Sequence, residues 1–591
     1  MRNLRYFDET LATMALALMV GIPLVEMVAR PILGKGIDNA PFVVQHLGLW
    51  MAMWGAIAAQ RYGHLTRLGH LFPQGEGLAR FASGLICGGL AWASWQFVHS
   101  EMQSPKELSF GIPVWWLQLT MPVGFAILGV KLSAQGAGSK WSDRSLSLVG
   151  PLTGLALAAW WDGQILALWP WVALLVAALL CGMPVFAVLG GLALALFMSD
   201  GLPLASVALS QYQMTVNPSL PALPLFTLAG LLFAKTGAVQ RLGTLFLALF
   251  GQGIVGTLLA ATVLCSFFTA FTGGSGVTIL ALGGLLLPLL RNAGYPEQKS
   301  ISLVTSASAL GVLLAPSVPL IMYAIIARVP INTMFLAGLM PAVVMIASLL
   351  IFGGYFRLND QLPSALPQKS DLSTAIWSAK WEILAPVVAL VSLISGLATP
   401  TESAAITAAY AILTLGLAHR ELSLRALWEC LSQATQIIGG VMLILGMALG
   451  LTNYLVDAGI PDLAIDAVQG LIQNKYVFLL ALNVFLFMAG ALMEIYAAIV
   501  VLVPLLLPLA ISYGIDPVHF GVIFLANMEM GFLCPPAGMN IFFSAAIFKK
   551  PIRVVAVSVM PALLAIFIGT VLVSWLPMLA LGLPAYLGNL P

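Results

Sequence analysis

Charge is what this chain most lacks. Only 8% of its 591 residues are charged against 60% hydrophobic, and the mean hydropathy is +1.00. A soluble domain carries about 25% charged residues, so the composition places the chain in a lipid bilayer. Strands of alternating apolar and polar residues are missing, which excludes a β-barrel. Cysteine is sparse: Cys87, Cys181, Cys265, Cys430 and Cys534 lie in apolar surroundings, are odd in number and form no CxxC, so they read as buried free thiols. His46, His64, His70, His99, His419 and His519 fall near the ends of apolar runs, leaving no mid-membrane pairs for the haem of a respiratory membrane subunit. No GxxxxGK[ST] run exists, and the nearest, Gly136 to Lys140, lacks the spacing an ATP-driven pump needs. Clustered Asp or His of the kind a membrane enzyme uses is absent, so no catalytic role is expected. The net charge of +2 gives no sign of a nucleic-acid partner.

What is present is a long series of apolar runs. A spanning helix needs about 20 apolar residues, and runs of that kind predict about fifteen crossings. They fall near 10–29, 42–60, 79–99, 112–130, 146–161, 164–181, 184–199, 219–234, 300–326, 332–356, 382–398, 401–418, 434–456, 516–546 and 554–578. Two further runs, 253–290 and 476–511, are interrupted by Thr272-Gly273-Gly274-Ser275-Gly276 and by Glu494, and read as re-entrant hairpins. The basic start with the apolar run Leu11 to Val25 resembles a signal peptide, but no small-residue cleavage site precedes Glu26 and Arg30, so it reads as an uncleaved helix. With the N-terminus in the cytoplasm, this layout puts 20 of the 25 basic residues inside, leaving Arg30, Lys35, Lys106, Arg328 and Lys475 outside. Turning either hairpin into a crossing spoils that bias. The C-terminus then ends on the periplasmic side.

One segment is written twice. Leu285-Leu286-Leu287-Pro288 recurs as Leu505 to Pro508, Gly294 as Gly514, Gly311 as Gly531, Pro316 as Pro536, and Met340-Pro341 as Met560-Pro561, all at one offset of 220 residues. Each copy holds five crossings, an odd number, so the second is inverted. Paired repeats with Gly/Pro-interrupted apolar segments point to a secondary transporter with its site between the repeats. The expected fold is an all-α integral membrane protein with inverted repeats. Its parts are a four-helix portion at 1–135, a linker and connecting helix at 136–163, and a repeat-built domain at 164–591 with copies near 164–356 and 382–578.

Non-helical backbone is tolerated at membrane depth only where it lines a protein cavity. The first copy offers the tip Thr272 to Thr278 and the break Leu314-Ala315-Pro316-Ser317-Val318-Pro319. The second offers the tip Met493-Glu494-Ile495-Tyr496 and the break Cys534-Pro535-Pro536-Ala537-Gly538. Proline withdraws backbone hydrogen bonds, and the freed carbonyls with hydroxyl and carboxylate oxygens suit a hard cation such as Na⁺. Opposing helix N-termini suit an anion. Ordinary kinks in membrane helices are the plainer reading of each break taken alone. Candidates for one cation site are Thr272, Gly273, Ser275, Gly276, Leu314, Ala315 and Pro316, and for a second Glu494, Cys534, Pro535 and Gly538. Candidates for solute contact are Ser275, Thr278, Ser317, Asn527, Glu529 and Asn540. An intramembrane carboxylate such as Glu494 is a functional candidate by default. Glu529 reads either as a solute-tuning or proton-carrying group or as a water-facing helix end. Glu402, following Thr399-Pro400-Thr401, reads as an N-terminal cap.

On these residues the chain resembles the TRAP (tripartite ATP-independent periplasmic) transporters with small and large membrane subunits fused. The large-subunit signatures are Pro224 to Gly230, Thr272 to Thr278 (Gly274 departing from serine), Gly294-Tyr295, Pro316 to Pro319, Thr399 to Ala405, Gly514 to Gly521 and Pro535 to Gly538, over about 164–575. Relatives carry Asp where Glu494 stands and apolar residues where Glu529 stands, while His519 belongs to the family turn and packs there. The small-subunit likeness is weaker: Arg61-Tyr62-Gly63-His64 and Ile112 to Trp116 fit, but the usual Trp-Glu-Glu is missing near Gln45-His46. The resemblance implies an elevator-type permease of the bacterial inner membrane. Hairpins and broken helices would move, Na⁺ would bind at the two tip-and-break pairs, and a small organic acid would arrive from a periplasmic substrate-binding protein. A standalone Na⁺/anion symporter is the alternative, against which the fused small-subunit portion argues.

Overall fold

A computed structural model of the protein describes every residue except 1–6, 34–35, 64, 66–74, 109–110, 136–140, 252, 357–370, 397, 494, 536–537 and 589–591. Glu494, Pro536 and Ala537 therefore lie outside the described residues. Among those described, the regular elements are all helical, with one isolated bridge between Glu107 and Pro113. Among the described residues, thirteen helices are long and apolar enough to cross a membrane, or fourteen if the bent pair Ala222–Ala234 and Ala238–Phe250 counts as one span.

Several expected crossings are shorter or broken. Leu168–Leu180 and Val185–Ser199 have 13 and 15 residues, and the run near 516–546 splits into Pro517–Gly531 and Met539–Phe548. Four helices were not expected: Ala205–Thr215, Ala238–Phe250, Ile460–Leu471 and Pro577–Tyr586. Ala238–Phe250 turns 74° from the helix before it. It buries Val239, Leu242 and Leu245 at helical spacing, an amphipathic stripe too narrow to register as an apolar run.

The chain forms two compact units. One comprises Met1–Pro224, Trp428–Leu463 and Val500–Leu505; the other comprises Leu225–Leu427, Ala464–Ile499 and Leu506–Pro591. Within the first, small residues permit close helix packing: a side chain at Gly88 or Gly154 would run into backbone of the facing helix, Trp141–Trp161 or Glu76–Gln103. Buried charge there is paired, as burial requires. Asp8 accepts from Arg61 at 2.8 Å and Lys131 at 2.6 Å, and Glu9 accepts from the Ser432 hydroxyl. His46 is buried and lies 2.9 Å from the Tyr212 hydroxyl.

Within the second unit, Arg241 on Ala238–Phe250 donates to Glu382 at 2.7 Å and to Glu421 at 2.6 Å, and Glu421 also accepts from the Gly237 amide at 2.9 Å. The Arg241 guanidinium holds the Glu421 carboxyl below its usual range.

The two copies repeat their elements in order. Ile254–Thr272 and Ser275–Asn292 form the first hairpin, and Lys475–Leu492 and Ile495–Ser512 the second. Glu297–Ala307, the 3₁₀ turn Leu310–Leu313 and Val318–Ala327 form the first broken helix, answered by Pro517–Gly531 and Met539–Phe548. The gapless offset does not survive the break. Left-handed caps at Arg328 and Lys549, followed by Pro330 and Pro551 opening the next helices, pair at 221 rather than 220. The caps that reopen the broken helices, Ser317 and Gly538, also pair at 221, so the second copy has gained one residue by that point. Met340-Pro341 and Met560-Pro561 therefore match in sequence without being equivalent in structure.

Candidate functional site

Gly273 ends the first hairpin arm in the left-handed conformation, φ 69°, which costs glycine nothing. Its amide bonds the Thr269 carbonyl at 2.9 Å, Gly274 is extended, and Ser275 opens the return arm. Three hydroxyls fasten this turn. Thr269 Oγ1 lies 2.7 Å from Thr278 Oγ1 and 2.8 Å from the Ser308 carbonyl, and Thr272 Oγ1 lies 3.1 Å from Thr278 Oγ1. A Cβ on Gly273 would stand 2.8 Å from the Val318 side chain, which opens the helix beyond the first break. The first tip and the first break are thus neighbours, as their pairing in sequence anticipates.

The tip also reaches the second copy. The Ser275 hydroxyl donates to Asn540 Oδ1 at 2.7 Å, and the Asn540 amide donates to the Thr305 carbonyl at 3.4 Å. Thr305 Oγ1 in turn lies 2.7 Å from Ser544 Oγ. Any side chain at Gly276 would strike the Phe543 ring. Ser275 begins one helix and Asn540 is the second residue of another, so two helix N-termini meet at this bond. Tyr496, from the second hairpin, donates to the Gly273 carbonyl at 2.8 Å.

The two broken helices cross. Thr305 with Ser544 is one contact, and Gly521 against the Tyr323 ring is nearly its counterpart one turn away. Tyr323 also donates to the Pro517 carbonyl at 2.5 Å. Both crossings are held to their own hairpins by glycine: a side chain at Gly311 would hit the Ser266 carbonyl, and one at Gly531 the backbone of Gly490.

The remaining candidates separate. Asn527 is buried and donates to Asn483 at 2.7 Å, and Asn483 accepts from Ser574 at 3.0 Å, so this pair joins the second hairpin's first arm to Ile552–Trp575. Ser317 is buried with its hydroxyl unpartnered. Glu529 is fully buried, which removes the water-facing reading; its Oε1 accepts from the Leu313 amide at 3.2 Å. At the first break, Leu314 accepts from the Ser317 amide at 3.1 Å, and Ala315 joins Pro316 through a cis peptide. At the second, Cys534 is half-buried, its carbonyl accepts from the Gly538 amide at 2.8 Å, and its thiol lies 3.4 Å from the Pro535 carbonyl. His519 packs in the fold, with Nε2 3.0 Å from the Val573 carbonyl. Glu402 caps its helix: it accepts from the Thr399 amide at 2.8 Å while the Thr399 hydroxyl accepts from the Glu402 amide at 3.3 Å.

Residues 172–579 match the profile described as "Tripartite ATP-independent periplasmic transporter, DctM component", and residues 19–135 match that of the DctQ component. The chain belongs to the TRAP transporter family. Both membrane components are present in one polypeptide. The chain is 31% identical over 507 residues to the isethionate TRAP transporter permease protein DctMQ of Oleidesulfovibrio alaskensis, covering 83% of this chain and 79% of that one. It is 31% identical over 438 residues to the C4-dicarboxylate TRAP transporter large permease protein DctM of Rhodobacter capsulatus, covering 70% and 98%. With the sialic acid TRAP transporter large permease protein SiaM of Vibrio cholerae it shares 31% identity over 376 residues, covering 62% and 86%. A TRAP permease with this many apolar helices is a multi-pass protein of the inner membrane.

In this TRAP permease the contacts that sequence reasoning missed are Tyr496, Thr305 and Ser544. Tyr496 stands in the second tip, but its hydroxyl serves the first. Thr305 and Ser544 lie within helices rather than at breaks, and only the crossing gives them one another as partners. A hydroxyl on an otherwise apolar helix face was the available signal, and it is shared by many residues that merely bond back along their own helix.

Proposed function

We propose that this TRAP permease imports an organic acid delivered by a soluble periplasmic binding protein and driven by an inward Na⁺ gradient. The observation that carries this reading is the Ser275–Asn540 bond. Two helix N-termini from opposite copies meet there, and such ends present N–H groups and positive dipole to an anion. Isethionate, C4-dicarboxylates and sialic acid, the solutes named for three relatives, share an acidic group of the kind that helix N-termini attract. Hydroxyls and carbonyls around Thr272, Gly273 and Leu314 to Pro316 supply hard oxygen ligands for Na⁺. In the second copy, Glu494, Cys534, Pro535 and Gly538 are the corresponding candidates.

Close packing of each broken helix on its hairpin at Gly311 and Gly531 supports movement of these elements as one body, an elevator step that carries the site with it. The N-terminus is assigned to the cytoplasm and the C-terminus to the periplasm on the charge bias. The test is uptake in proteoliposomes with the cognate binding protein, loaded with each of the three acids. Uptake is expected only with both the binding protein and inward Na⁺. Full uptake without the binding protein, or with K⁺ in place of Na⁺, removes this reading.

A further inference from the structure

Glu529 stands in the crossing of the two broken helices and is wholly buried. Its carboxylate belongs to Pro517–Gly531 of the second copy but bonds the Leu313 amide of the first, 3.2 Å away. Leu313 is the last residue of the 3₁₀ turn Leu310–Leu313, directly before the break that begins at Leu314. A 3₁₀ turn has poorer hydrogen-bond geometry than an α-helix and marks hinges, so an outside acceptor on its last amide limits its freedom.

The contact is one-sided. At the repeat offset of 220 the counterpart of Glu529 is Ala309, which carries no acceptor in its side chain. Leu533, the counterpart of Leu313, has its amide bonded to the Met530 carbonyl of its own helix at 3.1 Å. The pseudo-symmetric pair is therefore clamped at the first break and not at the second.

We propose that Glu529 is a positioning residue that holds the 3₁₀ turn and thereby sets the backbone of the first break, Leu314 to Pro316, for cation binding. Only one of its oxygens is used, since Oε2 has no partner. A single acceptor oxygen suffices, and an amide supplies one equally well. The role in cation binding rests on the Na⁺-coupled reading above; the clamp itself does not.

The experiment compares Glu529→Gln with Glu529→Met, a change of similar length without an acceptor, in the full-length protein in lipid nanodiscs and proteoliposomes. Hydrogen exchange of the segment 308–318 reads the clamp directly. Exchange in Glu529→Met is expected to rise by roughly an order of magnitude, with Glu529→Gln close to wild type. At matched folded amounts, Glu529→Met is expected to raise the Na⁺ concentration for half-maximal uptake by roughly fivefold, the scale of one hydrogen bond, with a smaller change in maximal rate. A merely structural residue would alter the folded yield and leave that Na⁺ dependence in place.

Unchanged exchange in Glu529→Met overturns the proposal. So does loss of transport in a folded Glu529→Gln variant with protected exchange, since charge or a proton would then be what the site requires. If Glu529→Met fails to fold, Glu529→Gln decides: it must keep both the protection and the Na⁺ dependence. Wild-type uptake that ignores Na⁺ would remove the functional reading of the break, and the exchange result would still decide the clamp.

Discussion

The Tyr496 hydroxyl donates to the Gly273 carbonyl at 2.8 Å, so a residue at the start of the second hairpin's return arm fixes the turn of the first. The two copies of the repeat therefore touch where the second hairpin turns onto the first.

Tyr496→Phe removes only that hydroxyl. A neutral hydrogen bond contributes about 0.5–1.5 kcal/mol, so the Na⁺ concentration for half-maximal uptake should rise roughly twofold to tenfold with little change in unfolding temperature. Uptake measured against Na⁺ concentration checks this, and an unchanged curve removes Tyr496 from the site.

Gly531→Ala drives a methyl group into the backbone of Gly490, and Gly311→Ala drives one into the Ser266 carbonyl. Overpacking of this kind costs about 1–3 kcal/mol. Gly284→Ala has nothing within 4 Å of the new atom and should be neutral or slightly stabilising. Thermal unfolding in detergent separates the three, and equal melting temperatures would show that the hairpins do not pack on the broken helices as described.

Glu402→Gln should leave transport and its Na⁺ dependence intact, because glutamine also completes a capping box. Glu494→Gln should weaken Na⁺ binding by about 1–3 kcal/mol, the scale of a lost charged contact. Uptake against Na⁺ for both variants at matched expression is the measurement. A shift for Glu402→Gln alone would mean that the second cation site is assigned to the wrong carboxylate.

Stability should fall on acidification in part through Glu421. Its folded-state value is depressed, chiefly by the hydrogen bond from Arg241. The stabilisation is therefore fully present above the unfolded carboxyl value and is lost as pH drops through the folded one. Glu421→Gln should show a shallower loss of melting temperature from neutral pH downward. Parallel curves for the two proteins would exclude the contribution.

The charge bias predicts sidedness. A cysteine at Gln135 should resist an impermeant thiol reagent in intact spheroplasts, while one at Leu587 should react. Reversed labelling would show that one hairpin is a true crossing.

The sequence by itself determined that this is a helical membrane protein built on a repeat, because scarcity of charge, apolar run length and a constant offset between matching segments are properties of the chain that need no tertiary contact. It also located the tips and breaks, since glycine and proline act on their own backbone, as at Gly273 and Pro316. The Glu402 cap was legible for the same reason, as its partner is three residues away. Tertiary structure decided what no local rule reaches. The extra residue of the second break emerged only from the caps at Arg328 and Lys549. Short amphipathic helices such as Ala238–Phe250 escaped because their apolar stripe is narrow and their anchor, Arg241 with Glu382 and Glu421, spans some 140 to 180 residues of chain. Asn527 found its partner Asn483 44 residues away, which its place in the sequence did not suggest. Ser275 found Asn540 265 residues away, because partners across a helix crossing are chosen by packing geometry, and sequence spacing carries no record of it.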